Sequence, residues 1–284
     1  MYRLFYSFFS FIPLVFFSCQ ENDFFSDSTS QIVVEGLIED GGFPVVILTR
    51  SLPVSSEFHE IDTLSEYIIR WARVTVSDGV TSAVLTGKYD KRYYPPYIYT
   101  TSRIRGESGK QYSLFVEYND FKLQASTYIP SRPESCVFRV VPCPDSDSLY
   151  QIKARIKDNA NEKNYYQFFT RTGTFSRQYL ASYLGSITDD VLNEETDFPV
   201  YRGHTLGNKN YTPYFLANDT VSVKFAQVDE KSYKIWDSYT KILSLSSNMF
   251  LSAYSNIETN IQGGMGYWCG YSAITNYIAI CDSI

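Results

Sequence analysis

Arg73-Val74-Thr75-Val76-Ser77-Asp78-Gly79-Val80-Thr81-Ser82-Ala83-Val84-Leu85 is the stretch whose reading decides the fold class. Apolar and polar residues alternate on both sides of Asp78-Gly79, a dipeptide that supplies the positive φ of a tight hairpin turn. The pattern predicts two antiparallel strands with one buried face. Upstream, Ile32 to Ile38 and Pro44 to Thr49 are β-branched runs on either side of Glu39-Asp40-Gly41-Gly42, a second hairpin or strand pair. A polar connection, Ser51 to Ser65, separates them from Arg73. Downstream, Pro95 and Pro96 place Tyr89 to Thr101 at an edge or in a loop. Gly109 to Tyr118 then alternates strictly, turns at Asn119-Asp120 and returns as Phe121 to Ile129. Short strands at this regular spacing predict a β-sandwich over residues 31-130.

Pro130-Ser131-Arg132-Pro133-Glu134-Ser135 is the expected boundary, because two prolines in a polar run stop a strand and stiffen a linker. Residues 131-284 then form a second, β-rich domain. Its strands are expected at Val137 to Val141, Gln151 to Lys157, Asn164 to Arg171 and Thr220 to Val228, with Phe175 to Asn218 a long polar and aromatic surface excursion that has room for short strands or helical turns. One amphipathic helix is predicted near 229-247: Asp229 is a good N-cap, and Tyr233, Trp236, Tyr239 and Leu243, with Ile235 and Ile242 beside them, mark one face. The glycines of Gly263-Gly264-Met265-Gly266 read as a tight turn where backbone approaches backbone, leading into an aromatic strand.

Aromatic residues make up 17% of the 284-residue chain, with 25 Tyr and 20 Phe, which suits half-buried strands more than helices. The formal net charge is −6 and the basic residues are scattered, so no basic face is available for nucleic acid.

The first residues set the expected location. Arg3 precedes an apolar run, Leu4 to Phe17, of secretory length, and Ser18-Cys19 follows in the arrangement that leaves a lipidated cysteine at the mature N-terminus. Residues 1-18 are thus read as a lipoprotein signal peptide, Cys19 as the lipidation site (palmitate among its chains), and 19-30 as a flexible acidic tether. The alternatives are a plain signal peptide containing a cysteine and an N-terminal membrane anchor. Acidic residues after Cys19 resemble an export tag for the outer face of the outer membrane. With Cys19 on lipid, Cys136, Cys143, Cys269 and Cys281 remain. They are compatible with local disulfides, Cys136 to Cys143 and Cys269 to Cys281, or with free buried thiols.

The opening Ile32-Val33-Val34-Glu35-Gly36-Leu37-Ile38, the middle Lys157-Asp158 with Asn164-Tyr165-Tyr166, and the closing Asn260-Ile261 with Gly263-Gly264-Met265-Gly266-Tyr267-Trp268 resemble an uncharacterised family of Bacteroidota envelope lipoproteins, domain of unknown function four-two-four-nine. The resemblance runs from Gln31 to about Cys281. It implies an outer-membrane lipoprotein whose N-terminal sandwich is similar to transthyretin-like or carboxypeptidase regulatory domains, and a place beside TonB-dependent transporters. It supplies no catalytic residue.

Few residues in the chain form a constellation that points to a reaction. Two histidines, His59 and His204, offer few general bases, and Gly270-Tyr271-Ser272-Ala273-Ile274 lacks the second glycine of a nucleophile elbow. No C-x-x-C is present for zinc. Gly263 to Gly266 lacks the Lys-Ser/Thr of a phosphate loop. Asp158 to Glu162 lacks the glycine and distal Glu of a calcium loop. Asp189-Asp190 and Glu194-Glu195 read as solvated loop charges in preference to a glycosidase pair. The aromatic residues Tyr93, Tyr94, Tyr97, Tyr99, Tyr201, Tyr211, Tyr214 and Phe215 are candidates for gripping sugars or flat partner surfaces, with half of such a set expected in the core.

The expectation is therefore a mainly β protein: an N-terminal transthyretin/Ig-like β-sandwich and a second β-rich domain with one helix. It is expected to be non-enzymatic, without cofactor or metal, anchored to the outer membrane by lipid with the surface or the periplasm as its face, and to serve a TonB-dependent transporter. A glycan- or peptide-binding module is the alternative, and a hydrolase with an unrecognised carboxylate site the remote one.

Overall fold

The computed structural model describes residues 31–51, 66–144, 146–158, 161–173, 178–192, 196–203, 211–246 and 257–281. The leader, Cys19, the tether, His59, His204 and Glu194-Glu195 lie outside them, as does the side chain of Leu243.

The N-terminal strands are β1 (Ile32–Glu39), β2 (Val45–Arg50), β3 (Arg73–Ser77), β4 (Ser82–Val84), β5 (Thr86–Tyr89), β6 (Tyr97–Thr100), β7 (Gln111–Tyr118) and β8 (Phe121–Tyr128). After the Pro130–Pro133 linker come β9 (Ser135–Cys143), β10 (Ser146–Lys157), β11 (Tyr165–Thr172), β12 (Leu180–Thr188), β13 (Asp197–Val200), β14 (Phe215–Leu216), β15 (Thr220–Val228), helix α1 (Glu230–Ser246) and β16 (Met265–Ala279). The expected hairpins form. Gly79 has φ 87°, and the Asp78 carboxylate accepts from the Val80 and Thr81 amides across that turn.

An eight-stranded sheet, ordered β12-β11-β15-β16-β1-β2-β6-β5, runs through both halves of the chain. Its organising element is β16. Residues 265 to 271 pair in parallel with β1, and residues 271 to 279 pair antiparallel with β15, so one strand of about 50 Å belongs to two sandwiches in turn. The boundary at residue 130 separates the strands before and after it. It does not separate two self-contained units, because the N-terminal sandwich is completed by the last strand of the chain.

The first sandwich packs β1, β2, β6 and the start of β16 on a four-stranded sheet, β4-β3-β7-β8. Its core holds Val34, Ile38, Leu48, Val74, Val76, Leu114, Val116 and the fully buried Trp268, whose indole N–H donates to the Tyr112 carbonyl at 3.1 Å. The second packs β11 and β15 on β13-β10-β14, with β9 paired to β10. Its core is aromatic: Tyr166 stacks on Phe225 at 4.8 Å, and Phe168 lies 5.2 Å from the same ring. The other face of β11, β15 and β16 is covered by α1, through Ile235 and Trp236 against Phe169, Val228 and Cys269.

The close approach read from Gly263 to Gly266 is present. Gly266 has φ 98° and lies so near the Val34 carbonyl that any Cβ there would collide with it. Phe175 to Asn218, expected as a surface excursion with room for short strands or helical turns, supplies β12, β13, β14 and a single helical turn at Asp189–Val191 among its described residues. β12 forms one edge of the long sheet, its alternation interrupted at Leu184 (φ 52°) and its register with β11 shifted.

Both local disulfides are excluded by strand geometry. Cys136 and Cys143 lie in the single strand β9, roughly 23 Å apart at about 3.3 Å per residue and on opposite faces, whereas a disulfide needs Cα atoms within about 7 Å. Cys269 is buried in β16 while Cys281 is exposed beyond its far end.

Candidate functional site

Three places bring polar and aromatic side chains together. The first lies where β1 leaves β16 and β15 joins it. Glu39, the last residue of β1, forms an ion pair with Lys224 of β15. The Tyr271 hydroxyl, from the shared strand, lies 3.3 Å from Glu39 Oε2 and 3.4 Å from Lys224 Nζ. The ammonium also stands 4.4 Å from the centre of the Tyr179 ring, whose hydroxyl shares a 2.7 Å hydrogen bond with Ser222. Arg171 stacks on Tyr179 at 4.7 Å. Burial pushes the Tyr271 phenol well above the usual tyrosine range, with the Glu39 carboxylate adding to the shift. These groups fasten one sandwich to the other, and the Tyr94 amide adds a bond to the Gln178 side chain at 2.9 Å.

The second place is the start of β16. On the side not paired with β1, the Asn260 amide acts as a strand would: it accepts from the Trp268 N–H at 2.9 Å and donates to the Trp268 carbonyl at 2.7 Å. Thr259 donates to the Gly266 carbonyl, and Thr127 accepts from the Gly270 N–H at 2.7 Å. The Asn-Ile and Gly-Gly-Met-Gly-Tyr-Trp motifs are thus two parts of one structural device. Across the sheet, Glu35 bonds the Tyr267 hydroxyl near Tyr239. Burial raises its carboxyl pKa, and the Tyr267 hydrogen bond offsets part of that shift.

The third is an open cleft of about 510 Å3 between the outer face of β7-β8 and helix α1, within the size range of small-ligand sites. Its floor carries Phe115, 44% exposed, with Ser113, Gln124 and Ser126. Its walls are Lys231, Lys234 and Ile235 of α1 and Glu258 to Gln262. Helix α1 is positioned by Asp229, one of whose carboxylate oxygens caps the Ser232 N–H at 2.7 Å while the other accepts from Tyr128 N at the end of β8. A ring platform bordered by hydroxyls and amides suits a sugar or an extended peptide. Nothing in the alternation of β7 and β8 marked this face, because polar outer positions read simply as solvated.

The aromatic candidates do not form one surface. Tyr94 is 46% exposed and Tyr93 half-buried beside it. Tyr97 packs edge-on against Tyr99 at 5.5 Å, and Tyr99 is core. Tyr201 sits between Tyr183 and Tyr214 at 5.9 and 6.3 Å, all half-buried, and Tyr211 donates to the Arg202 carbonyl at 2.6 Å. Phe215 is fully buried. Of the set, Tyr94 alone is exposed; the others pack the first core, the β12-β13 region and the β5-β6 loop.

Asp190 is a solvated charge, as read, but Asp189 is not: its side chain is only 15% exposed, it accepts from the Asn164 N–H at 2.8 Å, and it shares Lys163 with Asp190 at 2.5 Å, so it serves the fold. Among the described residues no three His, Cys, Asp or Glu side chains converge as a metal site would require, and no helix is long and apolar enough to cross a membrane.

Residues 21–276 match the model of a family described as a domain of unknown function, DUF4249. No curated protein matches the chain.

Proposed function

Since the chain belongs to the DUF4249 family of unknown function, we propose that it is a non-enzymatic, lipid-anchored lipoprotein of the outer membrane, and that it acts as a recognition component beside a TonB-dependent transporter. The observation that carries this reading is the polarity of the shared strand. β1 and β16 are parallel, so the end of β1 nearest Cys19 holds the N-terminal sandwich, and β16 carries the second sandwich away from that end. A tethered body built in this way presents its C-terminal sandwich to a neighbour. The shared strand and the inter-sandwich ion pair join the two sandwiches. Co-purification from detergent-solubilised membranes at endogenous level tests it: an integral β-barrel partner should be retained, and the Cys19→Ser chain should leave the membrane fraction. Recovery of the protein alone, or membrane retention of Cys19→Ser, counts against it.

The cleft favours a second reading, a glycan- or peptide-binding module, with Phe115 as the platform. Its test is binding to arrayed oligosaccharides and peptides by the parent chain and by Phe115→Ala. Silence of both arrays, or binding unchanged by the substitution, removes it.

A further inference from the structure

One end of the N-terminal sandwich can be assembled from register alone. Gln31 enters β1 there, held by its N–H to Ser51 Oγ at 2.9 Å and by the Ser51 N–H to its own carbonyl at 2.7 Å. Ile32 faces Arg50, Thr49 bridges Ile68, and the Ile69 N–H donates to the Leu48 carbonyl at 2.9 Å. In the opposing sheet Arg73 faces Glu117, which faces Lys122, and Gly263 lies on the Lys122 carbonyl. Arg50 reaches across to the Tyr118 hydroxyl at 3.0 Å. Trp71, between Ile69 and Arg73, therefore stands at the end where the tether joins the fold.

Its exposure is unlike that of the other tryptophans. Trp71 is 88% exposed, against 5% for Trp236 and 0% for Trp268. Phe121, at the same end, is 40% exposed, and the exposed basic side chains there are Arg50, Arg70, Arg73 and Lys122, outnumbering the acidic Glu66, Asp120 at the turn and Glu117, which is paired to Arg73 at 3.5 Å. An indole is most stable at the boundary between hydrocarbon and water, and flanking arginines and lysines extend to lipid phosphates. The acidic stretch Gln20 to Ser30, fully extended, spans on the order of 40 Å, so in a chain lipidated at Cys19 this is the end of the sandwich that the anchor holds within reach of the bilayer.

We propose that the tether end of the N-terminal sandwich rests on the lipid surface, with Trp71 inserted at the interface. The body then stands on the membrane in a fixed orientation, with its C-terminal sandwich outward. This inference rests on the lipid-anchored reading above.

The test uses the acylated full chain in vesicles of phosphatidylethanolamine and phosphatidylglycerol with brominated acyl chains. Flotation reports the anchor, and tryptophan emission reports the contact. The expected result is flotation together with a blue shift, bromolipid quenching and loss of acrylamide access, all absent in Trp71→Phe, whose near-ultraviolet dichroism from Trp236 and Trp268 stays that of the parent. Flotation with Trp71 still open to acrylamide and unquenched by bromolipid overturns the proposal and leaves the anchor standing. Failure to float overturns both.

Discussion

Glu39 and Lys224 form an ion pair across the junction of the two sandwiches, between strands that never pair with each other. The two side chains are unequally buried, at 28% exposed for Glu39 and 10% for Lys224. The cost of breaking the pair should be unequal too. Glu39→Ala strands a nearly buried ammonium with two tyrosine faces for company and should cost about 3 kcal/mol. Lys224→Met leaves a carboxylate that water and the Tyr271 hydroxyl still reach and should cost less. Urea midpoints of the two variants give the comparison. Equal losses, or a larger loss in Lys224→Met, would show that the ammonium is not the vulnerable partner.

Asn260 should behave as a replacement strand. Asn260→Ala removes both bonds to the Trp268 backbone and leaves a buried N–H and C=O unmatched, a loss of about 2–3 kcal/mol. Asn260→Asp keeps the acceptor but puts a carboxylate oxygen against the Trp268 carbonyl, so it should be no better than alanine. Chemical denaturation of the three proteins measures this, and an aspartate variant as stable as the parent contradicts the geometry.

The cysteines should be reactive in an order set by burial. Cys281 is exposed and should be modified first by an aromatic disulfide reagent. Cys269 is fully buried, and burial pushes its thiol up to about 12, so it should react only on unfolding. Cys136, also raised to about 12 by burial, should be slow. Reductant should leave the melting temperature unchanged, since no local disulfide bridges β9 or β16. A drop in melting temperature under reductant would refute the assignment.

What the sequence made legible was local. The alternation in β3, β7 and β8 and the Asp229 cap each depend on neighbours within a turn or a strand, and each is present, while β15 forms where expected but is buried on both faces. The sharing of β16 was hidden. Its residues are apolar or aromatic on both faces because two different sandwiches cover it in succession, so it shows no alternation, and its partner Glu39 lies 232 residues from Tyr271. β12 was hidden for a different reason. Leu184 adopts a positive φ and Gly185 follows it, which breaks the period-two pattern in a strand that the sheet nonetheless accepts at its edge. The cleft escaped because its walls come from β7-β8, α1 and residues 258 to 262, which only the fold brings together. The tyrosine clusters were visible as composition, but their burial was not, and composition alone made packing residues look like contact residues.

Glu35 gives the chain a pH dependence with a defined sign. Burial raises its folded pKa above the ordinary 4.5, and the Tyr267 hydroxyl offsets only part of the rise. The folded state therefore holds this proton more tightly than the unfolded state. The associated stability is fully present below about pH 4.5 and is lost as pH climbs through the folded pKa. Glu35→Gln keeps the shape and the bond to Tyr267 while removing the titration. Its stability relative to the parent should rise with pH above 4.5 and level off once the parent carboxyl has ionised in the fold. Urea midpoints of both proteins from pH 4 to pH 8 trace the difference. A difference that is flat across this range, or that falls as pH rises, would mean that Glu35 is hydrated in the folded protein and that the Tyr239-Tyr267 side of β16 is open to water.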